Sequence, residues 1–143
     1  MKKKNIVVLC TGNSCRSQMT EAFLNNYVDG RYNAYSAGLE PHPIHPYTIK
    51  VLDEVGLDWS GHKSKHIKDL INKIEIDILI TVCSSAKESC PTILGVQEEL
   101  HWPFEDPAAF EGSEEEKIDF FRKVRDQIEK KVKSWLNKEK VSF

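Results

Sequence analysis

The sequence predicts a single α/β domain built on a parallel sheet. Short strand-like runs, the first and third of them rich in Ile and Val, alternate with helical patterns along the chain, the order expected of strands joined by crossover helices. The first and third of these runs each end at a cysteine, Cys10 and Cys83. In an open parallel sheet such strand ends share one rim, where ligands bind. The length of 143 residues fits one compact domain able to bury a substantial core. No internal repeat, linker or low-complexity tract divides it.

Each element has its own signal. Residues 4–9 are a β-branched run closing at a glycine-containing turn, which reads as a buried parallel strand. Residues 17–27 read as a helix, with Ala22, Phe23 and Tyr27 at helical spacing and Asp29-Gly30 as the stop. Residues 31–36 form the second strand, closed by Ala37-Gly38. Pro41, Pro43 and Pro46 make residues 39–46 a loop. A helix over 47–55 follows, with Ile49, Leu52 and Val55 on one face and Gly56 as its C-terminal cap. Residues 76–82 are the third strand, and a short fourth strand over 99–102 leads into Pro103-Phe104-Glu105-Asp106-Pro107. Residues 113–137 form a long amphipathic helix. Ile118, Phe121, Val124, Ile128, Val132 and Trp135 step by three or four, and Ser113 with Glu116 makes a capping box.

Charge and cysteine usage exclude several classes. A net charge of −2 and a pI near 6.2 leave no broad basic field for nucleic acid. Lys130-Lys131 and Lys133 read as a solvated helix face. Lys2-Lys3-Lys4 precedes an apolar run of only four residues, 6–9, too short for a signal-peptide core or a membrane span. A cytoplasmic monomer is expected, with no membrane partner. In that reducing compartment Cys10, Cys15, Cys83 and Cys90 are expected as thiols rather than structural disulfides. Their C-x4-C and C-x6-C spacings do not match the C-x2-C of structural zinc sites. The histidines at 42, 45, 62, 66 and 101 also lack metal spacing. No metal or other cofactor is expected. Trp59 and Trp102 read as packing residues.

The loop Cys10-Thr11-Gly12-Asn13-Ser14-Cys15-Arg16 carries the chemistry. It lies between a hydrophobic strand and a helix beginning near Ser17. Gly12 lets the backbone turn so that successive N–H groups form an anion nest, and the helix dipole adds positive potential. Arg16 offers a planar fork for two oxygens of a tetrahedral anion. The same field is expected to hold Cys10 largely as thiolate near neutral pH. Asn13 and Ser14 can hold the loop's own backbone groups. The loop thus reads as an oxyanion site with a nucleophile beneath it.

The stretch from Val8 to Glu21, reading Val-Leu-Cys-Thr-Gly-Asn-Ser-Cys-Arg-Ser-Gln-Met-Thr-Glu, resembles the signature of the low-molecular-weight tyrosine phosphatase superfamily. Asp106-Pro107 is similar to that group's late Asp-Pro general acid. Within the superfamily the wording resembles the thioredoxin-coupled arsenate reductases. So do Tyr35-Ser36-Ala37-Gly38, the run from His101 to Pro107, and above all Cys83-Ser84-Ser85-Ala86-Lys87-Glu88-Ser89-Cys90-Pro91. The resemblance spans nearly the whole chain. It implies one domain over residues 1–143, a three-layer sandwich around a four-stranded parallel sheet.

The resemblance also implies an activity: reduction of arsenate to arsenite through a Cys10–Cys83–Cys90 relay, with thioredoxin as the reductant. In that scheme Arg16 and Asp106 assist catalysis, and Thr11, Gly12, Asn13, Ser14, Cys15, Arg16 and Ser17 hold the oxyanion. The residues from Ser84 to Ser89 include no large apolar or β-branched side chain. That segment must move, because Cys83 cannot face Cys10 and Cys90 at once. Some similar proteins bind potassium beside the loop through positions matching Asn13, Glu21, Ser36 and an Asp. Lys65 stands at the Asp position, where its ammonium could pair with Glu21 and replace the ion. Cys15 could guard Cys10 by forming a disulfide or could simply pack. A phosphatase would use only Cys10, Arg16 and Asp106, and the relay enzyme could retain such a side activity. Ala108-Ala109 after Asp-Pro, in place of aromatic residues, disfavours a phosphotyrosine substrate. A non-enzymatic anion- or arsenic-binding regulator could use the cysteines as soft ligands for arsenite but would need neither Arg16 nor Asp106.

Overall fold

The structure is a computed structural model describing residues 3–28 and 30–139. Lys2 of the basic cluster and Asp29 of the helix stop lie outside the described residues. Four strands, β1 (Lys4–Cys10), β2 (Tyr32–Gly38), β3 (Ile78–Thr81) and β4 (Glu98–His101), form one sheet in the order β2-β1-β3-β4. All three pairings are parallel. The helices are α1 (Arg16–Tyr27), α2 (Pro46–Asp53), α3 (Ile67–Ile71), α4 (Ser84–Ser89) and α5 (Glu114–Lys138). α1 packs on α5, and α2 packs on both, whereas α3 contacts β2 and α4 contacts β1 and β3.

β1 occupies the centre, and its side chains show it. Ile6, Val7, Val8 and Leu9 have no exposed surface, so the run is continuously apolar rather than alternating, as a strand covered on both faces must be. Each such side chain contributes roughly 1.5–3 kcal/mol by leaving water. α5 buries Phe121, Val124, Ile128, Val132 and Trp135 along its predicted stripe. Its capping box forms as read, with Ser113 Oγ accepting from Glu116 N–H and Glu116 Oε1 accepting from Ser113 N–H.

Several boundaries move, for local reasons. β1 extends to Cys10, and β2 runs on through Ala37-Gly38, pairing Leu9 with Ala37 and Cys10 with Gly38. A Cβ at Gly38 would lie 2.7 Å from Thr11 O, so glycine there is what lets the strand and the anion loop touch. Pro46 is not loop but the first residue of α2, a position where its missing N–H leaves no helical bond unmade. Gly56, at φ 83, closes that helix with Gly56 N–H on Asp53 O and Leu57 N–H on Leu52 O, both at 3.0 Å. β3 is shorter than the span 76–82, and β4 starts one residue earlier than predicted. α3 and α4, of five and six residues, were not predicted. Neither is long enough to show a helical period.

Candidate active site

The anion loop fills the turn from β1 into α1, at the carboxyl end of the central strand. Residues 39–45 run alongside it and take its carbonyls. Leu39, Glu40, His42 and His45 donate their N–H groups to the C=O of Cys10, Thr11, Gly12 and Ser14, at 2.8–3.2 Å. With those carbonyls held, Asn13 N–H reaches Cys10 Sγ at 3.1 Å. The residue that bends the loop is not Gly12, contrary to the sequence reading. Asn13 holds the left-handed conformation, at φ 51, which Asn tolerates better than most residues. Gly12 serves a different end: a Cβ there would stand 3.0 Å from His42 Cδ2, so its lack of a side chain admits the His42 ring.

Asn13 is also the hub of the loop's support. Its Nδ2 donates to Ser17 Oγ (2.8 Å) and Ser36 Oγ (2.9 Å), and its Oδ1 accepts from Lys65 N–H and Gln18 Nε2. Ser36 Oγ in turn donates to Glu21 Oε1 at 2.6 Å, and Lys65 Nζ stands 3.8 Å from the same oxygen. The structure therefore gathers Asn13, Glu21, Ser36 and Lys65 into one cluster. Burial pushes the Glu21 carboxyl above its ordinary value, opposed first by the Ser36 hydrogen bond and then by the Lys65 charge.

Cys10 Sγ lies 2.9 Å from Ser17 Oγ. Because Ser17 Oγ already accepts from Asn13, its own proton is free to point at the sulfur. The expectation of a thiolate needs correcting, however. Cys10 is only 3% exposed, and burial pushes its thiol up; the hydrogen bonds from Ser17 and Asn13 and the Arg16 charge pull it down, and burial wins. The sequence shows the field of the loop but not the desolvation of the thiol inside it.

Arg16 and Asp106 close the site from across the cavity. Arg16 Nη1 donates to Phe104 O at 3.0 Å, and its Nη2 is 3.8 Å from Asp106 Oδ2. Asp106 Oδ1 accepts from Ala108 N–H, capping a single 3-10 turn over Pro107–Ala109. Cys10, Thr11, Gly12, Ser14, Arg16 and Asp106 all line one cavity of about 390 Å³, together with His42, Pro43, His45 and Ala108.

The remaining cysteines differ in setting. Cys83 is buried at the N-terminus of α4; its Sγ accepts from Ala86 N–H at 3.4 Å and lies 3.5 Å from Thr11 Oγ1. Thr11 thus joins the anion loop to the second cysteine. Cys90 ends α4, is partly exposed, and has its thiol pushed up by burial and by Glu99. Cys15 is buried in the loop, beside Ser14 Oγ at 3.5 Å, with its thiol likewise raised by burial.

Four supporting residues escaped the sequence reading. Gln18 Nε2 donates to Asn13 O, and Trp59 Nε1 donates to Gln18 Oε1 at 2.8 Å. Ser64 Oγ bridges Asn13 O and His42 O, and Thr48 Oγ1 holds Ser14 O at 2.9 Å. Gln18 lies five residues from Asn13, but the other partners lie 22 to 51 residues away along the chain, beyond the reach of any local pattern.

This arrangement, a strand-end cysteine at the start of the loop into α1 with an Arg and an Asp lining the same cavity, defines a class. Residues 5–142 match the low molecular weight phosphotyrosine protein phosphatase family, and the chain belongs to that family. Within it, the chain is similar to proteins named arsenate reductase. That from Halalkalibacterium halodurans is 43% identical over 136 residues, covering 94% of this chain and 96% of that protein. That from Bacillus subtilis is 42% identical with the same coverage. A solved structure of an arsenate reductase in the phosphate-binding state superimposes with a TM-score of 0.79 at 32% identity, over 94% of this chain and 98% of its own.

Proposed function

We propose that this chain reduces arsenate to arsenite by a Cys10–Cys83–Cys90 thiol relay and is regenerated by thioredoxin in the cytoplasm. The observation that carries the proposal is the 3.5 Å contact between Thr11 Oγ1 and Cys83 Sγ, which sets a second thiol against the loop that holds the first. The relatives named arsenate reductase support the same substrate.

Arsenate enters the cavity and takes hydrogen bonds from the loop N–H groups, and Arg16 exchanges its Phe104 contact for two of the anion's oxygens. Cys10 loses its proton and attacks arsenic; an arsenic oxygen leaves as water, with Asp106 moving the proton. Cys83 then attacks Cys10 Sγ. A sulfur–sulfur bond forms, the electron pair of the arsenic–sulfur bond stays on arsenic, and arsenite departs. Cys90 attacks Cys83 Sγ, releasing Cys10 as a thiol and leaving a Cys83–Cys90 disulfide for thioredoxin's dithiol to reduce.

The last exchange demands movement. α4 separates Cys83 from Cys90, and seven residues at about 1.5 Å each span roughly 10 Å, beyond the roughly 7 Å that a disulfide allows. Thus α4 must unwind. A phosphatase would need none of this, since water completes its second step. Family membership favours that activity as a side reaction of Cys10, Arg16 and Asp106.

Single-turnover trapping with arsenate, read by mass spectrometry after alkylation, distinguishes the two. Cys90→Ser is expected to release one arsenite per chain and stop with Cys10 bonded to Cys83. Cys83→Ser is expected to stall at the arsenic adduct while still hydrolysing an aryl phosphate. Unimpaired multiple turnover of arsenate by both variants would overturn the relay.

A further inference from the structure

His45 sits where the segment bracing the anion loop turns into α2. Its N–H donates to Ser14 O at 3.2 Å. Its Nδ1 accepts from Tyr47 N–H at 3.0 Å and so caps the helix. Ser, Thr, Asp and Asn are the usual residues for that task; a histidine performs it with one ring nitrogen and keeps a second. The cap also settles the tautomer. A neutral ring whose Nδ1 accepts carries its proton on Nε2, and among the described residues Nε2 has no hydrogen-bond partner.

The ring is held in place by two aromatic neighbours. Its centroid lies 4.7 Å from that of Phe121 and 5.0 Å from that of Tyr47. It forms part of the wall of the cavity that Cys10, Arg16 and Asp106 also line. We propose that His45 is a further oxyanion-binding residue, whose Nε2–H donates to the tetrahedral anion from the α2 side. Protonation of Nδ1 would set a donor against Tyr47 N–H, so the cap itself favours the neutral ring. Burial acts in the same direction, opposed by Asp106. His45 therefore supplies a directed hydrogen bond rather than a charge, complementing the cationic Arg16. The inference rests on the cavity being an oxyanion site and is independent of which reaction follows.

Inorganic phosphate, binding to the full chain, is the probe. Long-range nitrogen–proton correlation spectra of the histidine rings should show His45 as the Nε2–H tautomer, with its Nε2 resonance moving on saturation while those of His62 and His66 stay. His45→Asn retains a good cap and loses only the ring, so its Tm should stay close to that of the parent while its phosphate Kd rises about three- to tenfold, the value of one neutral hydrogen bond. His45→Ala should lower Tm as well. Arsenate turnover by the Asn variant should show a raised KM with kcat little changed. An unmoved His45 resonance at saturation, or parental Kd in a folded Asn variant, overturns the inference while leaving the oxyanion site standing. Failure of the parent to bind phosphate overturns both.

Discussion

A buried thiol attacks only after its proton has gone, and at Cys10 burial is opposed by Ser17, Asn13 and Arg16. Ser17 Oγ, itself fixed by Asn13, is the largest of the influences that oppose burial. Since Cys10 is raised, its reactive fraction grows as pH climbs, and removing Ser17 Oγ moves that limb further up. Ser17→Ala is expected to shift the pH profile of Cys10 alkylation by iodoacetamide upward by about one to two units, because a hydrogen bond to a charged group contributes roughly 1.5–3 kcal/mol. An unshifted profile would show that Ser17 does not tune the thiol. Cys10, Arg16 and Asp106 could be singled out from local wording alone. The division of labour between Gly12 and Asn13 could not, because it depends on His42 and Lys65, which arrive from other segments.

At the scale of elements, α4 was legible as a segment but not as a helix. Its six residues bury only Ala86, so little tertiary packing holds it and its own propensity matters. Ser85 is exposed on it. Relative to Ser85→Gly, Ser85→Ala favours the helix by about 1 kcal/mol. If unwinding precedes the Cys83–Cys90 exchange, the alanine variant should perform that step about fivefold more slowly than the glycine variant in quenched-flow experiments that follow the Cys10–Cys83 bond. Equal rates would mean that the helix opens too readily to gate the exchange. β1 and β3 were legible because buried parallel pairing imposes β-branched apolar runs on the sequence, whereas β2 and β4 carry no such run and were placed by their turns and by the alternation of elements. α5 was legible because 25 residues give its apolar stripe room to repeat.

For the whole molecule, the order of strands and helices followed from the alternation of patterns, whereas the tie between the anion loop and the distant Lys65 was legible only through the family resemblance and not from any local signal. That tie has a measurable role. Potassium should change the Tm of the parent little if the Lys65 ammonium stands beside Glu21 in place of the ion. Lys65→Asp should melt lower in a bulky organic cation and regain stability in potassium. Strong stabilisation of the parent by potassium would contradict the replacement. The pH dependence has a definite sign. A carboxyl raised in the folded state contributes most stability below its unfolded pKa and loses it as pH rises through the folded value. Glu21 is such a group, and removing Lys65 should make the decline of Tm with rising pH steeper.

The helix between Cys83 and Cys90 also carries a lysine, Lys87, exposed on its surface. Proteases cut extended chain far faster than helix, since the peptide must lie flat in their clefts. Wound, the segment withholds Lys87; in the proposed relay a Cys83–Cys90 bond pulls it open, and the same lysine becomes a cleavage point. Brief trypsin treatment should therefore nick the oxidised protein after Lys87 and spare the reduced one, so that the fragment pattern on a gel reports the history of turnover.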